Sequence, residues 1–365
     1  MITILAAAAI LAVAPPTITV RVLEKQVPLL AGVSRPGERH EIAVRGGRLQ
    51  LDGVPVAAPA ELGAGNWLVE VPGTRPRRYQ GAPSFSLEAA RLAILFRMPL
   101  EEYVSAVVAS ETVPGTSFEA LKAQAVVVRS YALATRGRHG DADLCDLAHC
   151  QVLAGRGPRA HLAAARAATL ATSGEVLRLA SGGIAQAPFH AACGGYTGDP
   201  RELFGGEETG AAAAMDPGCP SATWSAAIPA ATFARVAHDR LGSDGGAETP
   251  GLADLDLRYG IGGYLVQVAL GSRRVGGEAF ARALDGAMGY GVVRSSRFRT
   301  HEEGTTIVLS GYGIGHGVGL CQAGAAKRAA MGQRYREILQ HYFARATIEK
   351  PAHASRPSAL RGKRF

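Results

Sequence analysis

Long hydrophobic segments, dense cysteine clusters, internal repeats and nucleotide-binding signatures are all missing from this 365-residue chain. The apolar run over residues 2–14 is too short to span a bilayer and has the length of a signal-peptide core. No other stretch reads as transmembrane. Five cysteines (Cys145, Cys150, Cys193, Cys219 and Cys321) make no disulfide framework, so a packed core must supply most of the stability. Charged residues make up only 19% against 47% hydrophobic, which excludes a disordered chain, and the 46 Gly and 20 Pro follow no period, which excludes a fibrous or low-complexity one. The glycine run over 311–319 lacks the Lys-Ser/Thr of a P-loop and any surrounding βαβ unit, so it does not read as a nucleotide site. Acidic residues are in deficit, 31 against 39 Lys+Arg. The resulting charge of +8 suits an anionic partner and by itself leaves nucleic acid and a carboxylate-bearing cell wall equally open.

The length implies two domains, or one with a large insertion. The N-terminal run is read in two ways. As an export signal it has an A-x-A site at Ala12–Ala14, with no preceding Lys or Arg and with Pro15 just after. As a buried strand it continues into 17–23, where Ile18, Val20 and Val22 alternate with polar positions. Residues 17–97 read as β-rich, with short alternating runs at 41–44, 49–51, 67–71 and 85–87 between Gly/Pro turns. A helix is expected from Pro99 to about Glu111, carrying Leu100, Val104, Val107 and Val108 on one stripe and Glu101 and Glu102 at its positive end. A second is expected to about Thr135, opened by a Thr116–Glu119 capping box and burying Phe118, Leu121, Ala125 and Val128. A Cys/His loop (139–155), an Ala-rich helix (158–172) and strands within 175–195 follow. Residues 196–250 read as a loop-rich excursion, and strands at 252–257, 264–270, 296–300 and 305–309 flank a helix at 277–284. A glycine turn then leads into a helix to about Met331, closed by Gly332, and a last helix over 335–343 precedes a basic tail. The fold class expected is α+β: a β-rich N-terminal part, a helical segment and mixed strands and helices around a cleft.

Glu111 stands out on chemistry alone. Between Leu100 and Glu111 a helix turns about 1,100°, about 20° from whole turns, so the carboxylate falls on the apolar face. Desolvation there, at the negative end of the helix, raises a carboxyl's pKa and keeps it protonated as a general acid must be. The bland alternative is a helix-end glutamate turned to solvent or paired with Lys122 or Arg129.

Pro99-Leu-Glu-Glu-Tyr-Val-x-x-Val-Val-Ala-Ser-Glu111, followed by Phe118-Glu-Ala-Leu-Lys-Ala-Gln124-Ala-Val-x-x-Arg129-Ser-Tyr131-Ala, resembles the signature of the stage II sporulation protein D (SpoIID/LytB) family. Three further blocks agree in order: His149-Cys150-Gln151-Val with Gly155, Phe189-His190 to Gly194-Gly195-x-Thr197, and Gly313-x-Gly-His316-Gly-Val-Gly-Leu-x-Gln322-x-Gly-Ala with His341-Tyr342 beyond. The resemblance covers about residues 75–350. It implies a lytic transglycosylase that cleaves denuded peptidoglycan strands, with Glu111 as catalytic acid and then base. It departs at Glu111-Thr-Val-Pro114, one residue longer than the family's Glu-Met-Pro. A single carboxylate suffices for that reaction, since the substrate's own C6 hydroxyl attacks, whereas a hydrolase needs a second carboxylate. Relatives of the LytB type imply the alternatives of a non-catalytic activator of a cell-wall amidase or a wall-binding module. The partners implied are glycan strands and an amidase, not nucleic acid, and the location is the cell envelope after export, with membrane attachment through an uncleaved N-terminus the variant.

His139-x5-Cys145-x3-His149-Cys150 offers two thiolates and two imidazoles, the ligand set of a closed zinc site. Three ligands plus water, a Cys145–Cys150 disulfide and unlinked thiols stay open beside it; some family members hold zinc in this loop, and no organic cofactor is expected. His316 and Gln322 flank a glycine turn whose amides, with the helix start beyond, suit a carboxylate such as the lactyl group of N-acetylmuramic acid; a turn whose glycines only relieve sterics is the alternative. Gln124, Arg129, Gln151, His190, Gly194 and Gly195 are further candidates for substrate contact, each equally readable as structural. In an exported protein Cys193 and Cys219 are expected to be linked, and Cys321 reads as a packed free thiol.

Overall fold

A computed structural model describes residues 16–26, 28–155, 159–206, 208–242 and 250–350; the apolar run at 2–14 and the basic tail lie outside them. Among the described residues no helix is long and apolar enough to cross a membrane. Strands and helices are both abundant, making the fold α+β. The chain divides into two compact units. One runs to Tyr103 and takes in 136–156; the other comprises 104–135 and everything from 157 onward. The Cys/His loop therefore belongs with the β-rich part, although the sequence places a boundary at 97/98.

The first unit is built on a ten-stranded sheet ordered Leu144–Cys145, Thr17–Val22, Arg91–Pro99, Arg77–Glu88, Gly65–Glu70, Leu30–Arg35, Glu38–Arg45, Arg48–Leu51, Val54–Pro55, with Ala60–Glu61 also paired to Arg77–Glu88. Ile18, Val20 and Val22 are buried on alternate positions, as the period-2 pattern requires. The 12-residue strand Arg77–Glu88 serves two neighbours: 77–81 pair with Gly65–Glu70 and 82–88 with Arg91–Pro99. Gly81 makes that change possible, because a Cβ there would lie 2.6 Å from the Arg97 carbonyl. Trp67, Tyr79, Phe85 and Phe96 are fully buried, and each such side chain contributes about 1.5–3 kcal/mol. The short strand Leu144–Cys145 runs parallel to Thr17–Val22, pairing Arg21 with Cys145. Asp143 fixes that register by accepting the Thr19 amide at 2.9 Å while its own amide donates to the Thr19 carbonyl at 2.8 Å.

Among the described residues the helices are α1 (Leu100–Glu111), α2 (Phe118–Ala134), α3 (Arg159–Ala171), α4 (Pro200–Leu203), α5 (Ala230–Leu241), α6 (Gly277–Met288), α7 (Gln322–Ala330) and α8 (Tyr335–Tyr342). α2 is the centre of the second unit and packs on α3, α7 and α8. It is buried on nearly every face, from Ala120 and Leu121 round to Ser130 and Ala132, because Ala and Val let its neighbours approach closely. Two expectations for α2 are corrected. Its N-cap is Ser117 with no side-chain cap bond, and Glu119 instead pairs with Lys122 at 2.6 Å and accepts the Tyr335 amide at 2.8 Å, tying α2 to α8. Phe118 is 46% exposed beneath the Lys122 ammonium rather than buried.

The described part of 196–250, residues 196–206, 208–242 and 250, holds more regular structure than its composition suggests. The strand Thr223–Pro229 and α5 lie in it, and both join a sub-core with Phe280, Leu284, Phe298 and Leu309. Thr223–Pro229 pairs with Thr306–Tyr312, which pairs in turn with Phe298–Glu303. A second three-stranded sheet joins Asp256–Tyr259, Leu265–Leu270 and Arg273–Gly276. The strand expected at 252–257 is a 3-10 turn followed by Asp256–Tyr259. The expected glycine closure of α7 is present, with Gly332 at φ +90°.

Candidate functional site

α1 ends at Glu111, as its apolar stripe predicts, and Glu111 is half-buried there. Glu111 lines a cavity of about 220 Å³ shared with Thr112, Val113 and Thr116 of the following turn, Ala120 and Gln124 of α2, Ala191, and Gln322, Ala323, Ala325 and Ala326 of α7. All of these belong to the second unit. Gln322 Nε2 donates to the Glu111 carbonyl at 2.9 Å, fixing the α1 end to the start of α7 across 211 residues of sequence. The turn after Glu111 is closed by its own backbone. Thr112 N donates to the Val108 carbonyl at 3.1 Å, and Thr116 N closes the turn onto Val113 at 3.1 Å. Lys122, a candidate partner for Glu111, is held by Glu119 instead.

Gln124 is the most telling wall residue. It is 1% exposed, and neither amide atom has a hydrogen-bond partner. Native interiors seldom leave both ends of an amide unsatisfied, and where they do a ligand is a natural complement. His161 of α3, not singled out by sequence, braces the same corner: its Nε2 lies 3.0 Å from the Thr112 carbonyl and 3.1 Å from Thr112 Oγ1. A carbonyl only accepts, so Nε2 carries the proton. Nothing in an Ala-rich helix sets that histidine apart before folding.

The blocks around His190 and His316 are knitted together by parallel pairing of Phe189–His190 with Leu320–Cys321 and by a bridge between Ala192 and Ile314. His190 Nδ1 donates to the Val318 carbonyl at 3.1 Å, leaving Nε2 buried without a partner. His316 Nδ1 accepts the Val318 amide at 3.1 Å, and the two rings meet edge to face at 5.5 Å. Burial lowers His190 to about 4 and His316 to about 3, so both are neutral at pH 7. The glycine turn between them offers few amides to an anion. Gly313, Ile314, Gly315 and Leu320 donate to the carbonyls of Ala222, Ala192, Arg294 and Pro188, and at the start of α7 the Ala323 amide donates to Ala191 and that of Gly324 to Cys321 Sγ. A Cβ at Gly317 would lie 2.3 Å from the Tyr264 ring and one at Gly319 2.1 Å from the Pro188 carbonyl, so these glycines admit the protein's own chain. Gly194 is of the same kind, 2.8 Å from the Ser221 carbonyl by that measure, while Gly195 donates its amide to Cys193 Sγ at 3.4 Å.

Arg129 is fully buried, its guanidinium donating to the carbonyls of Thr169 at 3.2 Å and Glu175 at 3.1 Å, which fastens the end of α3 to α2. Gln151 lies in the first unit, where its Oε1 accepts from Tyr103 Oη at 2.9 Å. The structure thus groups Glu111, Gln124 and Gln322, and gives Arg129 and Gln151 partners elsewhere.

His139, Cys145, His149 and Cys150 come together with ligand atoms all within 4.8 Å of one another, so this group could bind a metal. His139 Nε2 is 3.0 Å from Cys150 Sγ and His149 Nε2 is 3.2 Å from Cys145 Sγ. A turn closed by the Cys150 amide on the Leu147 carbonyl at 2.9 Å lets the adjacent His149 and Cys150 face one point. Asp146 anchors the loop by accepting the Leu23 amide at 2.7 Å and Arg77 Nη1 at 2.9 Å; burial nevertheless pushes its carboxyl up from its ordinary value. All five cysteines are free thiols, so neither the Cys145–Cys150 nor the Cys193–Cys219 disulfide is formed.

Residues 88–179 match the family model described as SpoIID, Stage II sporulation protein. That stretch holds Glu111, Gln124, Arg129 and the Cys/His loop; His190, His316 and Gln322 lie beyond it. The chain is also similar to an uncharacterized protein of Brachyspira hyodysenteriae, 26% identical over 279 residues that cover 73% of this chain and 70% of that protein.

Proposed function

We propose that this protein is a lytic transglycosylase that cleaves denuded peptidoglycan strands to 1,6-anhydro products, with Glu111 as general acid and then general base. The family matched over 88–179 is linked to cell-wall hydrolysis in general. The observation that carries the finer reading is that Glu111 is the one ionisable residue among the described residues lining the cavity, which Gln322 and Gln124, with its unpartnered amide, also line. Smaller than the roughly 300–1,000 Å³ of a whole drug-sized ligand site, the cavity suits one sugar-sized group of a longer strand.

A hydrolase would need a second carboxylate to activate water or attack the sugar. Asp199 and Asp216, two buried carboxylates of the same unit, are engaged elsewhere. Asp199 caps α4 and pairs with Arg201 at 2.8 Å and Arg345 at 3.2 Å, and Asp216 accepts from Tyr342 Oη at 2.6 Å and Arg328 at 3.1 Å. With Glu111 alone, the carboxyl protonates the glycosidic oxygen as the C1–O bond breaks. The muramic C6 hydroxyl then bonds to C1 and returns its proton to Glu111. Attack from within the same sugar has a high effective concentration over water, and no water is consumed. Excess positive charge suits the muramic carboxylates of such strands. Zinc fits the His139, Cys145, His149 and Cys150 donor set, where it would hold the loop closed. Export to the envelope belongs to the same reading.

Mass spectrometry of digested denuded glycan tests it. Anhydro ends, one water lighter than reducing ends, are expected, and Glu111→Gln should bind strands normally while losing about 10²–10⁴-fold in turnover. Reducing ends would indicate a hydrolase with a second carboxylate, and an unimpaired Glu111→Gln would remove this residue from the mechanism. No cleavage by the wild type would favour the amidase-activator alternative.

A further inference from the structure

The three cysteines outside the Cys/His loop meet a buried carboxylate in the second unit. Cys193 follows the strand Phe189–His190, Cys219 closes a turn begun at Asp216, and Cys321 is the N-cap of α7. Cys193, Asp216, Cys219 and Cys321 are 0%, 1%, 7% and 0% exposed, and their ligand atoms all lie within 4.8 Å of one another. We propose that these four residues form a second metal site, closed and tetrahedral, for a single ion of the zinc class.

The spacings fit one ion. Zinc–sulfur bonds of about 2.3 Å and zinc–oxygen bonds of about 2.0–2.2 Å give tetrahedral edges of about 3.8 Å between sulfurs and about 3.6 Å from sulfur to oxygen. Cys219 Sγ is 3.5 Å from Cys321 Sγ, and Cys193 Sγ is 3.6 Å from Asp216 Oδ2. A disulfide would need about 2.05 Å.

Backbone amides are directed at two of the three sulfurs. Cys321 Sγ accepts the amides of Cys193 and Gly324, both at 3.2 Å, and Cys193 Sγ accepts that of Gly195 at 3.4 Å. A neutral thiol is a weak acceptor, whereas a metal-bound thiolate is an anion that such amides stabilise. The carboxylate is oriented as ligating carboxylates are: Tyr342 Oη donates to Oδ2 at 2.6 Å and Arg328 Nη2 to Oδ1 at 3.1 Å, while Arg328 also reaches His341 Nε2 at 2.7 Å. Arg328 offsets the carboxylate, and the one negative charge by which three thiolates exceed a divalent ion falls where the Cys193, Gly195 and Gly324 amides point. Glycine at 324 is part of the arrangement, since a Cβ there would lie 1.9 Å from Asp216 Oδ2. Three sulfurs and one oxygen select zinc over magnesium or calcium. The ion would staple three segments distant in sequence immediately before Gln322, which lines the Glu111 cavity.

The full chain carrying Cys145→Ser and Cys150→Ser, loaded with zinc under reducing conditions, isolates this site. Elemental analysis is expected to find one equivalent, X-ray absorption to find three sulfurs and one oxygen, and Cys219→Ser in addition to abolish retention. Absence of metal from the folded loop variant, or retention unchanged by Cys219→Ser, would overturn the proposal. Wild-type protein supplies a test that no folding defect can confound. Alkylation in increasing urea, read by mass spectrometry, should label the buried Cys193, Cys219 and Cys321 only at higher urea when zinc is bound than after chelation, whereas a disulfide among the three or a urea dependence unchanged by chelation would refute it. Both readouts are independent of glycan cleavage.

Discussion

Replacing Gln124 by Met separates a ligand-binding role from a structural one. Gln124 is 1% exposed with both amide atoms unpartnered, so folding strips the amide of water without replacing its hydrogen bonds. Such an omission costs about 1–3 kcal/mol. Methionine has nearly the same length and helix propensity and needs no partner. Gln124→Met should therefore be more stable than wild type by about 1–3 kcal/mol, each kcal/mol raising the melting temperature by about 2–4 °C in a unit of this size. Two lost hydrogen bonds to a sugar, about 0.5–1.5 kcal/mol each, should weaken glycan binding by about 5- to 150-fold. Urea denaturation measures the first effect and binding to denuded strands the second. A variant that is less stable and binds strands as tightly as wild type would refute the argument, because the amide would then be satisfied within the protein and irrelevant to the ligand.

In the Cys/His loop, Cys150→Ser should lower bound zinc and loosen 139–151, with activity lost as a consequence; metal-free wild type with full activity would sink that expectation. Asp199 gives an acid-range signature: Arg201, with Arg345 beside it, holds its carboxyl down from 3.8 to about 2. A depressed carboxyl stabilises the fold above its unfolded pKa and loses that contribution as pH falls through the folded value, so Asp199→Asn should cost about 2 kcal/mol at pH 7 and nearly nothing at pH 2. Denaturation at the two pH values reads the difference, and an equal cost at both would contradict it.

Local pattern determined much of this protein. The 3.6-residue stripe from Leu100 ends α1 at Glu111, the alternation of Ile18, Val20 and Val22 makes a strand, and the spacing from His139 to Cys150 is enough to suggest a metal-binding loop. These features depend on neighbours within a turn or two, which sequence displays directly. Polarity misled where tertiary burial overrode it: the Ala- and Gly-rich stretch 196–250 contains a strand and a helix whose apolar faces find a core only with Phe280, Phe298 and Leu309. Glu119 abandons a capping box because the Tyr335 amide, 216 residues on, is a better-placed partner. The same holds at the sites. Only folding could show that Gln124 ends in a cavity without partners, that the Cys193 and Cys219 thiols stand beside Asp216 and Cys321 rather than linked, and that His161 braces the turn after Glu111. Each depends on contacts between residues tens to hundreds of positions apart, a separation that leaves no local pattern to read and that only close packing of the interior brings within hydrogen-bond distance.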